Sequence, residues 1–232
     1  MKIIKTGIPG LDEMLNGGIP EGRTILITGA TGTGKSTLGV EFLVEGIRNS
    51  ENGILISLEE DSEDLYEDYL NFGWDLKRFE IENKLRVITP PIPLKIEEAD
   101  IDIDNLVNTI QRAVSDINAK RMVIDSLSVL TAGLKEKESR KKILKLSTLL
   151  RELECTSLVI SEVTEEEEEN SDYGVGGYIF QGIISLYYKK KGAARIRGIE
   201  IRKMRGVDHS TKTKTIEITP EGLKVYSEDF II

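Results

Sequence analysis

The stretch Gly29-Ala30-Thr31-Gly32-Thr33-Gly34-Lys35-Ser36 constrains this chain more than any other. It matches the phosphate-binding pattern G-x-x-x-x-G-K-[ST] at every fixed position, and the apolar run Thr24-Ile25-Leu26-Ile27 before it supplies the strand that the pattern requires. From Thr37 to Arg48 apolar residues recur at three- and four-residue spacing, which predicts a helix with one buried face. Glycines let the backbone curl so that successive N–H groups converge on an anion, and the helix N-terminus adds partial positive charge. The expected binding set is Gly29, Ala30, Thr31, Gly32, Thr33, Gly34, Lys35, Ser36 and Thr37. Lys35 is expected on the β- and γ-phosphates of a nucleoside triphosphate, and the Ser36 hydroxyl on Mg²⁺.

The remaining elements follow an α/β rhythm. Thr6 to Gly22 reads as a short helix with Leu11, Met14 and Leu15 on its apolar face, ended by Gly17-Gly18. Gly53-Ile54-Leu55-Ile56-Ser57-Leu58, Leu85 to Ile88, Arg121 to Asp125 and Ser157 to Ser161 read as inner strands. Between them lie helices opening at Ser62, running from Ile103 to Ile117, and from Ile143 to Leu153, with a proline-rich loop at Pro90 to Pro93. Alternation of this kind predicts a mostly parallel sheet flanked by helices. The tail departs from that alternation. Gly182 to Tyr188, Ile196 to Met204 and Lys214 to Ile218 read as successive strands, an antiparallel extension of the sheet. With 232 residues and no evident linker, residues 1–232 are read as a single domain.

Hydrolysis of a nucleotide needs a metal-side carboxylate and a group that orients or deprotonates water. Asp125, at the end of an apolar strand, is the candidate for the first. Glu59 and Glu60 lie at the strand edge where open α/β sheets place ligands, and are read together as the water-activating pair, unranked. A solvated acidic helix start, Glu60-Asp61-Ser62-Glu63-Asp64, accounts for them equally well.

Composition narrows the partners. A formal net charge of −9 disfavours tight, sequence-independent nucleic-acid binding, so such binding is possible but not favoured. No window approaches eighteen apolar residues and the N-terminus lacks a signal peptide, so neither a membrane span nor export is expected. The lone Cys155 points to a reducing cytoplasm and reads as a small buried residue.

Taken in order, several stretches resemble a known family. They are Thr6-Gly7-Ile8-Pro9-Gly10-Leu11-Asp12, the phosphate loop, Ser57-Leu58-Glu59-Glu60, Phe72-Gly73-Trp74-Asp75-Leu76, Asp125-Ser126-Leu127 and Lys203-Met204-Arg205-Gly206-Val207-Asp208-His209. Together they are similar to a KaiC-type ATPase of the RecA superfamily, in its single-domain form, from about residue 3 to residue 226. The resemblance implies a RecA-like P-loop NTPase core, rings of six subunits and ATP with Mg²⁺ bound between neighbours. It implies catalytic roles for Glu59 and Glu60, with Lys203 and Arg205 reaching the neighbour's γ-phosphate and His209 nearby. Clock proteins of that family carry two copies of the domain and a phosphorylated Ser-Thr pair, where this chain has one copy and Gly177-Tyr178. Autokinase chemistry is therefore not expected, and the nearby Ser171 and Tyr173 give no argument for it.

The leading expectation is a ring-forming Mg²⁺-dependent ATPase that regulates an unidentified protein partner or a signalling process. Two others stand beside it: a recombination accessory resembling RadA or RadB, and a nucleotide-sensing interaction module with little turnover. Two charge runs read as solvated surface, Glu165 to Glu169 as a mobile loop and Lys189 to Arg197 as an exposed hairpin turn.

Overall fold

Residues 2–89, 102–164 and 174–229 are described by a computed structural model. In chain order the elements are β1 (Ile3–Ile4), α1 (Leu11–Met14), β2 (Ile19–Pro20), β3 (Thr24–Gly29), α2 (Lys35–Arg48), β4 (Gly53–Ser57), α3 (Ser62–Leu70), α4 (Leu76–Ile81) and β5 (Leu85–Ile88). Then come α5 (Ile103–Ile117), β6 (Arg121–Asp125), α6 (Leu127–Thr131), α7 (Glu136–Glu152), β7 (Thr156–Glu162) and α8 (Gly174–Ile179). Four strands close the chain: β8 (Gly182–Lys191), β9 (Ala194–Met204), β10 (Lys214–Thr219) and β11 (Gly222–Asp229).

A nine-stranded sheet runs in the order β11-β10-β9-β8-β3-β7-β6-β4-β5. From β8 to β5 neighbouring strands are parallel, and from β8 outward to β11 they are antiparallel, as the run of strands in the tail predicts. β1 and β2 form a separate antiparallel pair. Successive side chains of a strand point to opposite faces, so the inner strands feed two cores. Ile25, Ile27, Leu55, Val123 and Leu158 pack with α1, α2, α3 and α4 on one side, while Leu26, Ile54, Ile56, Met122 and Val159 pack with α5, α6 and α7 on the other. Each such fully buried aliphatic contributes about 1.5–3 kcal/mol.

The long periodic helices sit where expected. α5 buries Leu106, Ile110, Ala113 and Ile117, starts under an Asp102 cap that accepts from Asp104 N at 2.8 Å, and stops at Asn118 with φ 50°. α7 begins seven residues before Ile143, because Glu136 to Lys142 is polar and carries no apolar period; its first turn lies exposed outside the core. α4, α6, α8, β11 and the β1–β2 pair are absent from the sequence reading, being mostly too short to show a repeat. The cap of α3 is Asp61 rather than Ser62: its carboxylate accepts from the N–H groups of Glu63 and Asp64, both at 3.0 Å. Among the described residues, no helix is long and apolar enough to cross a membrane. Pro90–Pro93, Glu165–Glu169, Ser171 and Tyr173 lie outside the described residues.

Candidate nucleotide site

β3 delivers the chain into a loop whose conformation needs glycine at three positions. Gly29 has φ 155°, and a Cβ there would stand 2.4 Å from the Leu186 carbonyl oxygen. Gly32 and Gly34 are left-handed at φ 76° and 101°. The Ala30 carbonyl draws the loop together by accepting from Lys35 Nζ and Thr33 Oγ1, both at 2.9 Å. α2 opens at Lys35, so its first N–H groups are left directed toward the loop.

Register places the other groups. Gly29 pairs with Glu162 and Ser57 with Asp125, so β3, β7, β6 and β4 end along one edge of the sheet. A cavity of ≈ 390 Å³ opens there, and its wall joins Thr31, Gly32, Gly34, Lys35, Ser36 and Thr37 with Glu59, Glu60 and Asp125. Gly29, Ala30 and Thr33 belong to the loop but not to the cavity wall. Sequence reasoning missed Ser126, Glu162 and Arg197, which line the same cavity.

The carboxylates feel one another. Burial pushes Asp125 up to about 6; the Ser36 hydroxyl and Lys35 beside it pull the other way, while Glu59 and Glu162 add to the rise. Glu60 is also raised, first by burial and then by Asp125, Asp68, Glu59 and Asp64. Glu59 accepts a hydrogen bond from the Ser126 hydroxyl. Glu162 accepts from the Thr31 hydroxyl, and its own N–H donates to Ser128 Oγ at 2.9 Å. Its place at the end of an apolar strand is the signal that could have found it.

Lys189 to Arg197 does form a hairpin turning at Gly192, but Arg197 is not a free surface charge. Its Nε donates to Gly32 O at 2.9 Å, and its guanidinium lies 4.3 Å from the centre of the Tyr188 ring. The correction has a simple cause: β9 runs back along β8 and carries Arg197 to the loop that β3 feeds. Cys155 is buried, its thiol is pushed up to about 11 by burial, and its Sγ lies 3.3 Å from Ala119 O.

Lys203, Arg205 and His209 stand elsewhere. Lys203 pairs with Ile183, which pairs with Leu26, three residues upstream of Gly29 on β3. None of the three lines the cavity. Lys203 Nζ donates to Gly177 O at 3.0 Å and Phe180 O at 2.7 Å, and burial, then Arg205, lowers its pKa. β9 ends at Met204, so Arg205 belongs to the following turn, where its N–H donates to Gln181 O at 3.0 Å. His209 Nδ1 lies 3.0 Å from Ser210 O, and Ser210 N donates to Met14 O at 2.8 Å.

Comparison with known proteins agrees with this architecture. The family model described as "ATPase: KaiC" matches residues 4–229. A UPF0273 protein of Pyrococcus furiosus is 34% identical over 97% of this chain and 94% of its own length. The circadian clock protein KaiC3 of Synechocystis is 36% identical over 89% of this chain but 42% of its own length. Among solved structures, a KaiC-like protein of Pyrococcus horikoshii superposes with a TM-score of 0.87 at 38% identity, covering 97% of this chain and 99% of that one. A phosphate loop facing strand-end carboxylates, set in a sheet shared with these relatives, places the chain in the KaiC ATPase family.

Proposed function

We propose that this chain binds ATP with Mg²⁺ at the phosphate loop and hydrolyses it within a ring, regulating a protein partner. One observation carries the reading: Ser36 and Asp125 share the wall of one cavity with Lys35, Glu59 and Glu60. The donor set suits Mg²⁺, since a hydroxyl and a carboxylate are hard oxygen ligands. Bound there, Mg²⁺ would neutralise phosphate charge and favour ionised Asp125.

In this reading the backbone of Gly29 to Gly34 wraps the phosphates and Lys35 leaves the Ala30 carbonyl for a phosphate oxygen. Asp125 and Ser36 hold the metal side. Glu59 and Glu60 face the end of the phosphate chain, where one orients water and takes up its proton; burial and mutual repulsion hold Glu60 above the usual carboxylate range, which improves its fit to that task near neutral pH. Lys203 and Arg205 stand too far along the sheet to serve their own cavity, which supports their acting on a neighbour's γ-phosphate, with His209 close by.

The test combines mass and turnover. Light scattering is expected to show a ring with ATP and Mg²⁺, and phosphate release is expected to require the metal. A chain that binds ATP, assembles and releases no phosphate would instead be a nucleotide-sensing module.

A further inference from the structure

Charge is divided between the two edges of the parallel sheet. Beyond the C-terminal end of β4, Glu63, Asp64, Glu67 and Asp68 of α3 are exposed, and among the described residues the cation paired with this group is Lys77, 3.3 Å from Glu63. At the N-terminal ends of β3, β6 and β7 a second cavity of ≈ 590 Å³ opens, with Arg23, Lys120 and Arg151 in its wall. All three are exposed, and no ion pair engages them among the described residues. Of the two carboxylates in that wall, Glu21 is taken by Lys2 at 2.6 Å, leaving Glu154 against three cations. Leu153 is the apolar member of the wall, so the cleft offers no aromatic surface on which a nucleobase would stack.

The cleft adjoins the residues assigned to a neighbour. Arg23 leads into Thr24, whose N–H donates to Gln181 Oε1 at 2.9 Å, and the Gln181 carbonyl in turn accepts from the N–H of Arg205. Strands lie about 5 Å apart, so the cleft begins within a strand or two of Arg205. On the other edge, α3 starts two residues after Glu60 at the rim of the nucleotide cavity.

We propose that the acidic α3 of a second copy seats in the cleft of Arg23, Lys120 and Arg151, head to tail, beside the contact of Lys203 and Arg205 with that copy's nucleotide. This rests on the ring reading and names the surface that would hold the ring together. The two patches are different and complementary, so the contact is heterologous and can repeat until a ring closes. Opposite charge on the two edges also steers approach and penalises like edges meeting. Exposed pairs are screened, so assembly weakens as salt rises.

A charge swap tests it. Arg23→Glu with Arg151→Glu makes one variant, and Asp64→Lys with Glu67→Lys another; all four positions are surface sites outside the nucleotide cavity. With ATP and Mg²⁺ at low salt, each variant alone is expected to stay monomeric at concentrations where the wild type is assembled, with an unchanged circular dichroism spectrum. Mixed one to one, they are expected to regain the wild-type mass, since every contact then joins opposite charges. Assembly of either variant alone, or a mixture that stays dispersed, overturns the docking while the ring reading stands. A wild type that stays monomeric with ATP and Mg²⁺ removes both.

Discussion

The two edges of the parallel sheet hold charge in opposite ways. At the phosphate-loop edge, Lys35, Ser36, Asp125, Glu59 and Glu162 are all engaged with groups of their own chain. At the other edge Arg23, Lys120 and Arg151 meet no ion-pair partner among the described residues, and Lys203 rests on backbone carbonyls. Strand ends explain the first arrangement, because parallel register brings four of them to one line. The second is what a surface awaiting another molecule looks like: cations gathered without the carboxylates that would satisfy them. The first edge surrounds a cavity, and the second is the one proposed to meet a neighbour.

If that contrast is correct, the largest loss comes from the edge that looks unfinished. Lys203→Ala with Arg205→Ala should lower phosphate release about 10³-fold, in the range of cations supplied in trans, while ATP binding to the mutant's own loop survives. Equal losses of binding and turnover would break the comparison. Glu59→Gln with Glu60→Gln should lower turnover by roughly 10²–10⁴ with assembly and binding kept, as expected for removal of a general base. Mixing these two inactive variants sharpens it further. Where a subunit with intact carboxylates meets a neighbour with intact cations, phosphate release should return in part.

A smaller effect is expected on stability at the loop. Gly29→Ala must place a Cβ against the Leu186 carbonyl at an unfavourable φ, costing on the order of 1–3 kcal/mol for the backbone alone and more for the clash. Thermal unfolding measures it; a variant as stable as the wild type would mean that the loop is softer than the engaged edge implies.

The last effect is a pH dependence of stability set by two carboxylates that burial raises. On α2, Glu41 is pushed up to about 7 by burial, against the pull of its hydrogen bond from Leu223 N at 2.7 Å. Asp125 rises to about 6 from the ordinary 3.8. In each case the folded chain holds its proton more tightly than the unfolded chain. Stability should therefore fall as pH rises, from about 4 to 6 for Asp125 and from about 4.5 to 7 for Glu41, each by up to about 3 kcal/mol. Glu41→Gln should flatten the upper part of that slope in denaturation curves taken across pH. ATP with Mg²⁺ should flatten the lower part.

Much of this was legible beforehand because it is local. The phosphate loop announces itself by spacing, and the inner strands and α5 by unbroken or periodic apolar runs. Asp125 and Glu59-Glu60 were readable as strand-end acids, though sequence alone left the pair balanced between a site and a solvated helix start. The structure puts them in one cavity with Lys35. Glu162 carries the same strand-end signal as Asp125, whereas nothing beside Arg197 in the chain marks it. Glu162 matters because β7 lies between β3 and β6, and Arg197 because a long hairpin folds back onto Gly32.

By itself, then, the sequence determined the phosphate loop, the alternation that makes a parallel sheet and the switch to antiparallel strands. Those depend on glycine conformations and on apolar periods of a few residues. Tertiary structure alone decided which charges share a cavity and which are left facing outward. Strand order and register bring together residues more than a hundred positions apart, and no local pattern of side chains encodes that distance.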